Sequence, residues 1–159
     1  MSYCTVSNTS ANAGAAIKVS YDSRLEVNHC TLANLQAYSK GGISLSLKSN
    51  ARIHDTIFFN CDSRGTAAGI IVEAEGELVL SNTVFESMTA RTSSAIYLDD
   101  ATLDVSHSRF IHCSSEISGG LISLVNSHLI MDQSILDQFT GSAITGADKS
   151  TIEMLDVTI

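Results

Sequence analysis

The sequence predicts an all-β protein, a single-stranded right-handed parallel β-helix of about six coils. Three observations lead there. Apolar columns recur roughly every 26 residues along the 159-residue chain. Each unit breaks into short stretches that alternate apolar and polar residues. Proline is absent, while Ser, Thr, Asn and Gly are plentiful between the strands, as a chain stacked almost entirely into ladders requires.

The repeat is read column by column. One column runs Val6, Leu32, Phe58, Phe85, Phe110, Leu136, Ile159, at spacings of 26, 26, 27, 25, 26 and 23. Five residues upstream stands a second, Val27, Ile53, Leu80, Val105, Met131, Met154. Two residues further back lies a third, Leu25, Ala51, Leu78, Leu103, Leu129, Ile152. Between them is a column of small residues, Cys4, Cys30, Thr56, Thr83, Ser108, Ser134, then Val157.

Each unit parses into three strands. "RLEV" points Leu25 and Val27 inward, and "NH" then breaks the alternation, as "HD", "SN", "SH" and "DQ" do in later coils. "CTL" comes next, with Cys30 and Leu32 inward. A loop, "ANLQAYSKGG", leads to "ISLSL", where Ile43, Leu45 and Leu47 are expected on one face; its counterparts start at Ile70, Ile96 and Ile122. Strands stacked about 4.8 Å apart make six coils a rod of about 30 Å. Parallel crossovers favour the right hand. An antiparallel sandwich also has many short strands, but it does not require every third strand to repeat its neighbours' residue types.

Residues 1–159 therefore form a single β-helix domain, expected to be a segment of a longer solenoid. The chain starts almost inside a strand at "YCTV" and stops in one at "TIEMLDVTI", with no capping pattern at either end. End-to-end self-association through uncapped coils is the alternative expectation. "MSYCTVSNTS" does not read as a signal peptide. No apolar run reaches the roughly 18–20 residues of a membrane span, so membrane insertion is not expected. Net charge is −8 and the nine basic residues are scattered, which argues against nucleic acid as a partner.

The alternation, the two-residue polar turn and the pairing of "FFNC" or "FIHC" with "AGII" or "GGLI" resemble the right-handed β-helix repeats of the pectin-lyase-like superfamily. The same rhythm is similar, more weakly, to the repeats of chlamydial polymorphic outer-membrane proteins. Where those repeats carry Asn, this chain has Leu35, Cys61, Met88, Cys113 and Phe139. The resemblance implies a surface-exposed or secreted location. It also implies that any enzymatic work falls on the outer face of the third strand.

Outward positions there read Lys18 and Ser20, Ser44 and Ser46, Ile71 and Glu73, Tyr97 and Asp99, Ser123 and Val125. Glu73 and Asp99 fall on adjacent coils, about 5 Å apart, a spacing that suits an acid and a nucleophile or Ca²⁺. Tyr97 beside them could stack on a sugar ring. The next coils add no further acid and no Arg or Lys base, and the uniformly short loops build no cleft. The balance is against an enzyme, with Glu73 and Asp99 as the catalytic candidates if there is one and Tyr97 as the ligand-binding candidate.

The remaining chemistry-bearing residues suggest no metal site and no cofactor. Cys61 and Cys113 share a column two coils apart, about 9–10 Å and beyond disulfide reach. Cys4 and Cys30, on successive coils, are within reach, but their column holds small core residues, so plain thiols are expected. There is no Cys-x-x-Cys. His29 and His107 share a turn column with Asp55, Asn82, Gln133 and Asp156, three coils or about 14 Å apart. His54, His112 and His128 fall at turns or strand ends, and all five histidines read as solvated or as members of polar ladders. The expected function is a non-catalytic structural or adhesin-like rod with protein or glycan partners along its sheet faces. The rivals are a polysaccharide lyase or glycoside hydrolase, and a self-associating scaffold in a larger assembly.

Overall fold

The structure, a computed structural model, describes residues 1–117 and 119–159. Its strands form four parallel sheets wound around one core, with every paired strand about 26 residues from its partner. The first sheet stacks Arg24–Asn28, Asn50–His54, Glu77–Ser81, Thr102–Ser106, His128–Asp132 and Thr151–Leu155. The second stacks six strands from Thr5–Ser7 to Ile135–Asp137, and the third six from Ile17–Ser20 to Ser142–Ala147.

Register follows the columns residue for residue. Val6 pairs with Leu32, Leu32 with Phe58, Phe58 with Phe85, Phe85 with Phe110, and Phe110 with Leu136. Val27, Ile53, Leu80, Val105, Met131 and Met154 likewise pair in sequence. In-register stacking puts like on like: the Phe58 and Phe85 rings lie 4.6 Å apart, and Phe85 and Phe110 4.9 Å, all stacked and fully buried. Offset stacking of this kind adds to simple burial. Gly69, just before the strand Ile70–Glu73, makes room for one of these rings. A Cβ on Gly69 would stand 2.5 Å from the Ala95 carbonyl oxygen and 2.9 Å from the Phe85 ring.

The polar dipeptides that interrupt the alternation are two-residue corners whose second member is left-handed. His29, Asp55, Asn82, His107 and Gln133 have φ between 44° and 51°. Asn and Asp tolerate this region best. The corner at the far end of each second-sheet strand repeats the device at Asn8, Asn34 and Asn60. There the amides form a true ladder: Asn34 Nδ2 donates to Asn8 Oδ1 at 3.3 Å, and Asn60 Nδ2 to Asn34 Oδ1 at 2.7 Å.

Two expectations change. The stretch expected to be a loop contains a further strand, Gln36–Lys40, which belongs to a fourth, five-stranded sheet with Ser10–Ala13, Asp62–Ser63, Thr89–Ala90 and Ser114–Ser115. Most of these strands are two residues long, too short for any alternation to register. Leu47 is not on the inner face with Ile43 and Leu45. The strand ends at Ser46, and Leu47 turns out at φ 56°, 44% exposed.

The small-residue column is a hydroxyl ladder. Thr56, Thr83, Ser108 and Ser134 each donate to the carbonyl two residues earlier. Thr56, Ser108 and Ser134 also accept the backbone N–H one coil back, from Cys30, Thr83 and Ser108 respectively. Corners that turn out of a sheet leave such N–H groups without a carbonyl, and a buried donor must be satisfied. The cysteines fit the same scheme. All four are free thiols, and Cys4 and Cys30 point Sγ at the carbonyls of Ser2 and Asn28.

Candidate functional site

The third sheet places Glu73 directly opposite Asp99, and Ile71 opposite Tyr97, on neighbouring strands. Glu73, Tyr97 and Asp99 are all half-buried. Not every outward position on this face is open: Ser44 and Ile71 are buried. Ile71 lies outside the continuous core, so the outer surface is closed over at that point. Toward the strand ends, Glu73 and Asp99 are half-buried and in reach of solvent.

Lys40, from the fourth sheet, reaches this strip and forms an ion pair with Glu73. The two residues are 33 apart in sequence, and the strand that carries Lys40 has no pattern that would reveal it. Tyr97 lies two residues before Asp99 on the same strand, and its hydroxyl is pushed above its usual range, first by burial and then by the charges of Asp99 and Glu73. Tyr97 therefore stays a neutral phenol, a donor suited to a hydroxyl- or carboxylate-bearing ligand. The arrangement is a small polar platform: a salt-bridged acid, a second acid, and an aromatic ring. A glycosidase of either stereochemistry needs one protonated and one free carboxyl group flanking the bond. Here Lys40 holds Glu73 in an ion pair.

A second aromatic feature lies on the fourth sheet. The Arg64 guanidinium sits 5.1 Å from the centre of the exposed Tyr38 ring and donates to its hydroxyl at 3.3 Å. Gln36, Asp62 and Ser10 line the shallow groove beside it. This group was hidden from sequence inspection for the same reason as Lys40. Among the described residues, no helix is long and apolar enough to cross a membrane.

Comparison with known protein families agrees with the architecture. The family described as "Right handed beta helix region" matches residues 1–90, more than half of the chain, and the protein belongs to that family. Neither the curated proteins nor the solved structures gave a match.

Proposed function

We propose that the chain is a non-catalytic binding rod, of the adhesin-like kind carried by surface-exposed or secreted proteins. Its partners, glycan or protein, lie along the sheet faces and need no cofactor. Its coil rhythm resembles that of pectin-lyase-like repeats and, more weakly, that of chlamydial polymorphic outer-membrane repeats. The observation that carries this proposal is the Lys40–Glu73 ion pair. It commits one of the only two candidate carboxyl groups and leaves a flat, polar, Tyr97-centred strip that can hold a sugar without cleaving it.

The register pairing of Glu73 with Asp99 favours one second reading, a lyase or hydrolase on the same face. A single experiment separates the two. The chain is offered a panel of neutral and acidic glycans, with binding and product release both followed. Binding without turnover, weakened about tenfold or more by Tyr97→Ala, is the expected result; one lost aromatic contact is worth about 1–2 kcal/mol. Turnover of an acidic polysaccharide that disappears in Glu73→Gln would instead make the protein an enzyme. Absence of any binding would remove the glycan-binding form of the proposal.

A further inference from the structure

The corner between the first and second sheets stacks Asn28–His29 on His54–Asp55. Asn28 and His54 are register partners on adjacent strands, and His29 and Asp55 come after them in the left-handed corner, at φ 51° and 50°. One coil thus supplies an imidazole, and the next a second imidazole and a carboxylate. His54 Nδ1 lies 3.1 Å from Asp55 Oδ2, and His29 Nε2 lies 3.7 Å from the same oxygen. One donor atom from each of the three residues falls within 4.8 Å of the other two. In a tetrahedral zinc site with bonds of about 2.0–2.1 Å, donor atoms stand about 3.3 Å apart. The two measured edges bracket that separation.

The surroundings orient the donors. His29 Nδ1 hydrogen-bonds to Asn28 Oδ1. An amide oxygen can only accept, so Nδ1 is the donor in that bond, and Nε2, the nitrogen on the Asp55 side of the ring, is the one left for a metal. Tyr3 stacks on the His29 ring at 4.9 Å, while the His29 and His54 rings meet edge to face at 6.1 Å. The Asp55 carboxyl is held below its ordinary value, chiefly by the His54 hydrogen bond, against some desolvation, with His29 and the Asn82 amide adding to the effect. All three side chains are between a third and a half exposed, so an ion can reach them from solvent.

We propose that His29, His54 and Asp55 form a binding site for a divalent first-row transition cation of the zinc type. His29 ligates through Nε2, His54 through Nδ1 and Asp55 through Oδ2, and water or a partner's donor completes the coordination. Two imidazole nitrogens disfavour Ca²⁺ and Mg²⁺, which take oxygen ligands. To ligate through Nδ1, the neutral His54 imidazole carries its single proton on Nε2, so the ring changes tautomer and no net charge has to leave it. The site makes sense on a binding rod, because an open metal position offers a point of attachment on an otherwise regular surface.

The test is calorimetric titration of the whole chain with Zn²⁺, paired with the absorption spectrum of the Co²⁺-loaded protein. One Zn²⁺ per chain is expected, with His29→Asn, His54→Ala and Asp55→Asn each weakening it about tenfold or more. Asn is the replacement at the two corner positions because it tolerates the left-handed backbone there, so the fold is kept, as circular dichroism will verify. His107→Asn, in the same column three coils away, should leave binding unchanged. The Co²⁺ spectrum should show ligand-field bands without thiolate charge transfer. No uptake, uptake indifferent to His29→Asn and Asp55→Asn, or a thiolate band placing the metal on cysteine would each overturn the proposal.

Discussion

Removing one hydroxyl should have opposite effects at two equally buried serines. Ser108 and Ser94 are both fully buried. Ser108 Oγ accepts the Thr83 N–H at 3.2 Å and donates to the Ser106 carbonyl at 2.8 Å. In Ser108→Ala that carbonyl keeps the Asn82 N–H at 3.2 Å, but the Thr83 N–H loses its acceptor. One orphaned buried donor costs about 1–3 kcal/mol. Ser94 Oγ has no partner among the described residues, so Ser94→Ala removes an unsatisfied group and should be neutral or up to about 1 kcal/mol stabilising. With a urea slope of about 2 kcal/mol/M, Ser108→Ala lowers the unfolding midpoint by about 1 M, and Ser94→Ala raises it by up to about 0.5 M. Ser108→Cys should fall between wild type and Ser108→Ala, since thiols occupy the same column at Cys4 and Cys30. Equal shifts of the same sign at Ser94 and Ser108 would show that the ladder hydroxyls are volume fillers and refute the assignment.

Two further outcomes test the core. Phe85→Ala opens the middle of the ring stack and should cost about 3–5 kcal/mol, whereas Phe85→Leu, which places there the residue found at Leu32 and Leu136, should cost only about 1–2 kcal/mol in urea unfolding; equal losses would mean that the stack is incidental. Burial pushes the Cys61 and Cys113 thiols up to about 11, so at pH 8 iodoacetamide should leave both unmodified in the folded chain and modify them once urea unfolds it; native labelling of Cys61 at the rate of the half-buried Cys4 would contradict their placement in the core.

Most of the coil was legible because its information repeats. Each strand of the three long sheets lies on its own counterpart, so a residue such as Phe85 is specified by its column as well as by its neighbours. The same logic located the Asn28–His29 type of corner, where a polar pair stops the alternation. It failed at Leu47, where the alternation ran one residue past the end of the strand into a corner that only the backbone reveals.

The candidate sites were less legible, because they form between columns. Comparing His29 with His107 inside one column led to a separation of about 14 Å and no expectation of metal. The neighbour that matters is His54, which ends a strand and belongs to the adjacent column. Lys40 was hidden in the same way, on a strand of the fourth sheet that faces Glu73 across a corner. By itself the sequence determined the coil length, the register and the buried columns, since period-two alternation and in-register stacking are both written along the chain. Only the tertiary structure decided which side chains of different columns meet at the corners. That depends on the angles at which one sheet turns into the next, and no periodicity in the sequence encodes those angles.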